Sequence, residues 1–177
     1  MRDVTDAGVA WLVSSLPADA QEAAQWVAAP RSRRELPTGT VFDAVGVDST
    51  WACGLLDRFV EYGFFGVPIA VVDSTLYVLV RPRSSTHVRG LTIEDQSGQP
   101  VAALLLGPGD HFTAPPLEIG ADDHALWLVA PNGAPRLPLA SLVLAALGSL
   151  PSPSLEATDM LRGLFGSRSL PKQEDLT

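Results

Sequence analysis

Asp110 and His111 stand side by side at the head of an apolar stretch, and an acid next to a base suggests proton transfer. Adjacent residues entering a strand point apart, so a turn aspartate followed by a packed or surface histidine fits the spacing better. Immediately before them, Gly107-Pro108-Gly109 could present backbone N–H groups to an anion or a nucleotide phosphate, with His111 beside it. Pro108 removes one of those donors, and a tight turn needs no ligand at all. Asp48 precedes Ser49-Thr50 and a run of helical period, which makes it a helix N-cap or a metal ligand, with the cap the simpler role. His87 and His124 are isolated in polar surroundings and point to no site. Cys53 is the single cysteine, so neither an intrachain disulfide nor a cysteine metal site can form. Lying among Trp51, Leu55 and Leu56, it reads as a buried, inert thiol. The chain has no Walker loop, no nucleophile elbow and no zinc-ligand spacing. Asp122-Asp123 and Glu174-Asp175 read as solubilising acids.

Charge narrows the choice further. The net charge is -8, and Lys172 is the only lysine. A nonspecific nucleic-acid binder needs clustered cations against phosphate, so this balance argues against one. The arginines do cluster, with Arg31, Arg33 and Arg34 in one loop and Arg81, Arg83 and Arg89 in another. A local basic patch would require the fold to bring the two loops together; two separate solvated loops is the plainer reading.

The elements that would position these residues follow from periodicity. Val9, Leu12, Val13 and Leu16 predict a helix over 5–16, and Ala20, Ala24 and Val27 a second over 17–29, opened by Pro17. A Val- and Phe-rich strand is predicted over 40–47. Trp51, Leu55, Phe59 and Tyr62 then trace one side of a helix ending near 62. Ile69 to Val72 and Leu76 to Val80 flank Asp73-Ser74 as a hairpin. The polar stretch 82–100 predicts a short helical piece at 89–96, and strands are expected at 101–106, 111–114 and 125–130. Pro138 should set the first turn of an apolar helix to Leu147, with Gly148 as its stop.

At 177 residues the chain is long enough for one domain, placed at 1–150. Residues 151–177 read as a Pro/Ser linker, a short amphipathic helix carrying Leu155, Met160, Leu161, Leu164 and Phe165, and a polar tail expected to be disordered. Apolar runs stay well short of the roughly 20 residues that cross a bilayer, and the N-terminus lacks a secretory pattern. A cytoplasmic protein without membrane association is expected.

Two blocks, Thr38-Gly39-Thr40-Val41-Phe42-Asp43-Ala44-Val45-Gly46-Val47-Asp48 and Gly107-Pro108-Gly109-Asp110-His111-Phe112-Thr113-Ala114-Pro115-Pro116, resemble the first motif and the Gly-rich loop of small primase-polymerase domains of high-GC, actinobacterial type. These belong to the archaeo-eukaryotic primase superfamily, and the resemblance covers about residues 8–131. It implies an α+β fold: an RRM-like mixed or antiparallel sheet flanked by helices, followed here by the C-terminal helix and tail. The family's chemistry is two-metal nucleotidyl transfer, with paired carboxylates on one strand, a histidine on a nearby strand and a third acid. The matching positions here are Gly46 and Asp48, then Ser74-Thr75-Leu76-Tyr77, then Leu104-Leu105-Leu106. The pair keeps one acid, the histidine is missing, and leucines replace the third acid.

The resemblance therefore implies a catalytically inactive domain that works as a protein-interaction or regulatory module, through a protein partner or self-association, with helix 154–165 as the contact. No cofactor is expected. The enzyme alternative is a rearranged nucleotidyl transferase using Asp43, Asp48 and Asp110 with Mg or Mn. A further alternative is a nucleic-acid or nucleotide-binding remnant using the arginine loops.

Overall fold

The computed structural model of this chain describes residues 4–16, 20–84, 89–118 and 120–153. Its centre is β2 (Asp43–Asp48), buried at every position but the last. Val45 and Val47 point to one side and Ala44 and Gly46 to the other, so both faces of this strand must be covered. Asp48 ends the strand and caps a 3-10 turn (Ser49–Trp51) by accepting from the Thr50 N–H at 2.9 Å and the Thr50 hydroxyl at 2.6 Å. Helix α3 (Ala52–Glu61) follows and buries Ala52, Leu55 and Phe59. Full burial of Leu55 or Phe59 contributes about 1.5–3 kcal/mol each.

Strands β3 (Ile69–Val72) and β4 (Thr75–Val80) pair antiparallel across a two-residue turn. Asp73 and Ser74 both have positive φ, 48° and 72°, the backbone of a tight hairpin turn. Strands β5 (Gly90–Glu94) and β6 (Pro100–Leu106) form a second hairpin, and β8 (Ala125–Val129) closes the other side. The six-stranded sheet runs β5-β6-β2-β4-β3-β8, with every neighbouring pair antiparallel. Because α3 connects β2 to β3 while β4 lies between them, the centre of the sheet is a split β-α-β unit.

Two apolar layers sandwich the sheet. On one face α3 and α4 (Ala140–Gly148) pack on Val45, Val47, Val78, Val80, Val101 and Leu105. On the other lie α1 (Asp6–Val13), α2 (Ala20–Ala28) and a two-stranded ribbon of β1 (Arg34–Pro37) with β7 (His111–Ala114). Leu12, Trp26, Leu36 and Phe112 cover Ala44, Ala70, Leu79 and Trp127 there. The fold class is thus α+β, with an antiparallel sheet flanked by helices. No helix among the described residues is long and apolar enough to cross a membrane.

Several local expectations are corrected. Residues 89–96 hold no helical piece: Leu91 and Ile93 alternate with exposed Gly90, Thr92 and Glu94, and pairing with β6 makes them a strand. The arginine loop at 31–34 runs into β1, whose partner β7 lies far along the chain. In α2 the buried contact is Trp26, while Ala24 and Val27 face solvent. Cys53 is exposed, because it falls one position past Ala52 on α3 and so turns away from the buried stripe. Helix α4 starts two residues after Pro138 and includes Gly148; its first N–H is met by the Ser84 hydroxyl at 3.1 Å.

Candidate functional site

The three places where the resemblance would seat metal or phosphate ligands do meet in space. Across the sheet, Gly46 of β2 is opposite Tyr77 of β4 on one side and Leu104 of β6 on the other. All three lie on the face covered by α1, α2 and the β1–β7 ribbon. A β-carbon built on Gly46 would come within 2.9 Å of Tyr77 Cε1 and 3.3 Å of Thr75 Cγ2. The volume an acid would use is therefore taken by an aromatic ring. That ring is held edge-on to Phe112, with centroids 5.4 Å apart, in a cluster that continues to Phe42 and Trp127. Burial pushes the Tyr77 phenol above its ordinary range, against a hydrogen bond with Thr75 that lowers it.

The three candidate acids do not converge. Asp43 and Asp48 are at opposite ends of β2, about 17 Å apart at strand rise, and on opposite faces. Asp43 is fully buried toward the α3/α4 layer, on the same face as Val45 and Val47. Asp48 is exposed, with its carboxylate on the Thr50 cap. Asp110 closes a turn: Gly107 N–H donates to Asp110 Oδ2 at 3.1 Å, and Arg89 Nη2 sits 2.5 Å from Asp110 Oδ1. Among the described residues no group of three or more His, Cys, Asp or Glu is arranged to hold a metal ion.

The two sequence blocks are nevertheless neighbours, because they lock into each other. Thr38 N–H donates to the Asp110 carbonyl at 3.0 Å, and the Thr38 hydroxyl to the Gly107 carbonyl at 2.5 Å. Gly39, at φ 97°, lies so close that a β-carbon there would sit 2.5 Å from Pro108 Cα. The Gly107 N–H, which could have faced an anion, is thus taken by Asp110, and Gly109 at φ 90° is a turn residue. His111 is exposed at the start of β7, opposite Pro37.

The arginines are distributed among acids. Arg33 reaches Asp73 in the β3–β4 turn at 2.8 Å and Asp122 ahead of β8 at 2.5 Å. It therefore pins the ribbon layer to two points of the large sheet. The Arg33 guanidinium holds Asp122 below the ordinary carboxylate range, and the two carboxylates raise Arg33 further. Asp122 is thus a structural ion-pair partner, more than the solubilising acid its sequence suggests. Arg31 is 3.7 Å from Glu118. Arg34 begins β1, whereas Arg81 follows β4 at the end opposite the Asp73 turn, and Arg83 is exposed nearby. The two arginine groups therefore form no shared basic patch through Arg33 and Arg81. His87 and the helix residues Leu155, Met160, Leu161, Leu164 and Phe165 lie outside the described residues.

Sequence reasoning missed Tyr77 and Arg33 as organising residues. Their roles depend on partners 31 positions away (Gly46) or, for Asp73 and Asp122, 40 and 89 positions away. No protein-family model, curated protein or solved structure matches the chain.

Proposed function

We propose that the chain is a primase-polymerase-like domain that has lost two-metal chemistry and acts by association, with a protein partner or with a second copy. The observation that carries this reading is the packing of Tyr77 over Gly46, with Leu104 on the other flank. Hard cations need several oxygen ligands at one point, and here that point is aromatic and aliphatic. The order β6-β2-β4-β3, with α3 crossing from β2 to β3, supports the RRM-like part of the reading. In RNA-binding RRM domains a sheet face stacks bases on aromatic side chains. Here the aromatic face lies beneath the β1–β7 ribbon, which favours protein association over base stacking. At the exit of α3, Tyr62 and Phe65 are 45% and 73% exposed, which leaves two aromatic side chains for a partner to cover.

Primer-template incorporation with Mg²⁺ or Mn²⁺ and nucleotides tests the proposal, with the wild type compared with Asp48→Asn. Asparagine keeps the cap and removes the charge. The expected outcome is no incorporation by either chain, with Asp48→Ala destabilised by about 1 kcal/mol and Asp48→Asn close to wild type. Mn²⁺-dependent incorporation by the wild type that vanishes in a stably folded Asp48→Asn chain would overturn it.

A further inference from the structure

The end of the sheet where β4 runs out carries cations that the rest of the molecule does not neutralise. Arg31 lies against Glu118, Arg33 against Asp73 and Asp122, Arg58 against Glu61, and Arg89 against Asp110. Arg81, Arg83 and Arg136 are exposed and have no ion pair or side-chain hydrogen bond among the described residues. Two ties bring them together. The Arg81 N–H donates to the Pro138 carbonyl at 2.8 Å and the Ala140 N–H to the Ser84 hydroxyl at 3.1 Å, so segments 81–84 and 136–140 lie side by side. Pro82 and Arg83 are the middle of a turn closed by the Ser84 N–H on the Arg81 carbonyl at 3.2 Å. Arg83, at φ 59°, holds a turn position that glycine ordinarily fills. Of the acids at this end, Glu61 and Asp110 are already paired and Asp43 is fully buried, while Asp6 opens α1 on the opposite face of the sheet.

Exposed apolar side chains collect at the same end. Helix α3 runs from the Asp48 end of the sheet back to the start of β3, and the Leu79 N–H donates to the Pro68 carbonyl at 3.0 Å. Residues 60–66 therefore leave the sheet at the end that carries Arg81. Helix α4 begins there as well, directly after Leu139. Four of the five large apolar side chains exposed among the described residues lie here: Val60, Tyr62, Phe65 and Leu139. Arginine together with exposed aromatic and aliphatic side chains is the composition of protein-binding surfaces.

We infer that this end of the molecule binds an acidic segment of a partner protein, with carboxylates on Arg81, Arg83 and Arg136 and apolar side chains on the surface that Phe65 and Leu139 leave open. A guanidinium forks onto a carboxylate through two parallel N–H···O bonds, so three arginines select a segment with several acids. A polynucleotide fits less well. Its phosphates meet the repulsion of a chain of net charge -8, and three cations fall short of the roughly six to ten phosphate contacts of a DNA binder. Val60 and Leu139 are aliphatic and give bases no ring to stack on. The inference gives the association reading its class of partner and rests on that reading.

The test is the fluorescence anisotropy of a short labelled peptide of glutamate and phenylalanine, titrated with the full chain across a salt series. The same peptide with glutamine for glutamate and a single-stranded oligothymidylate are measured beside it. The acidic peptide should bind saturably and more weakly as salt rises, and both other probes should bind less tightly. Changing Arg81, Arg83 and Arg136 together to Gln should cost about tenfold in affinity, as three exposed ion pairs of ordinary strength would. Circular dichroism should not change, because the ties between the two segments are made by backbone groups and Ser84. Phe65→Ala should weaken binding and leave its salt dependence as it is. An acidic peptide that does not bind overturns the inference, as does unchanged affinity in the folded triple variant. Oligothymidylate bound more tightly than the acidic peptide also overturns it and makes the arginines a phosphate-binding surface. Failure of peptide binding with no incorporation in the assay above sinks this surface alone, whereas Mn²⁺-dependent incorporation lost in Asp48→Asn sinks the reading beneath it.

Discussion

The ring of Tyr77 lies across Gly46 on the neighbouring strand, with Cε1 2.9 Å from where a β-carbon on Gly46 would stand. Gly46 has no positive φ, so the obstacle to a side chain there is steric: the ring first, with Thr75 Cγ2 at 3.3 Å beside it. Gly46→Ala should therefore destabilise by about 1–3 kcal/mol through overpacking. Tyr77→Ala should lose about 2–3 kcal/mol, below the range for a fully buried aromatic because Tyr77 is half-buried. In the double variant the new methyl enters the space the ring leaves, so the combined loss should fall short of the sum by about 1 kcal/mol or more. Urea unfolding of the four chains measures this coupling. Strict additivity would show that the ring does not fill the site.

Asp122 gives the stability a defined acid dependence. Its carboxyl is held below the ordinary value by Arg33, so the folded chain binds its proton less readily than the unfolded chain. The resulting stabilisation is fully present above the unfolded value of about 3.9 and is lost as the pH falls through the lower folded value. Asp122→Asn should flatten the decline in stability below about pH 4 and lower neutral-pH stability by about 1 kcal/mol, a modest figure because the pair is partly exposed. Thermal melts between neutral and acid pH compare the two chains. Parallel curves would mean that Asp122 is not a source of the acid sensitivity.

The β3–β4 turn carries a removable strain. Ser74 has φ 72°, a left-handed conformation that costs a side-chain-bearing residue about 1 kcal/mol relative to glycine. Ser74→Gly turns Asp73-Ser74 into Asp73-Gly, a sequence favoured in two-residue hairpins. It should stabilise by about 0.5–1 kcal/mol and raise the melting temperature by about 1–4 °C. The Ser74 carbonyl, which accepts from the Ser49 N–H at 2.9 Å, is retained. A lower melting temperature would show that the serine side chain contributes a contact worth more than the backbone strain.

Much of the fold is legible in the chain alone where a local rule decides. The β3–β4 hairpin follows from two apolar runs around Asp73-Ser74, and α3 from the spacing of Leu55 and Phe59. Asp48 is a cap because its type and position before a helical run demand little beyond its neighbours. Strand β5 is not legible in the sequence because Leu91 and Ile93 are too few to establish a period, nor is β1, whose four residues acquire meaning only beside β7. Cys53 and Ala24 differ from expectation by a rotation about a helix axis, which composition does not fix.

By itself the sequence determined the elements with a strong local pattern, α1, α3, α4 and the β3–β4 hairpin, and the absence of a second acid at 46 beside Asp48. Tertiary structure alone decided what stands in that acid's place, because the answer depends on strand register: Gly46 meets Tyr77 and Leu104 only once β2, β4 and β6 are aligned. It also decided that Thr38-Gly39 and Gly107-Pro108 interlock and that Arg33 is shared by Asp73 and Asp122. These contacts join residues far apart in the chain. Their geometry is set by how the layers pack, and local propensity does not encode it.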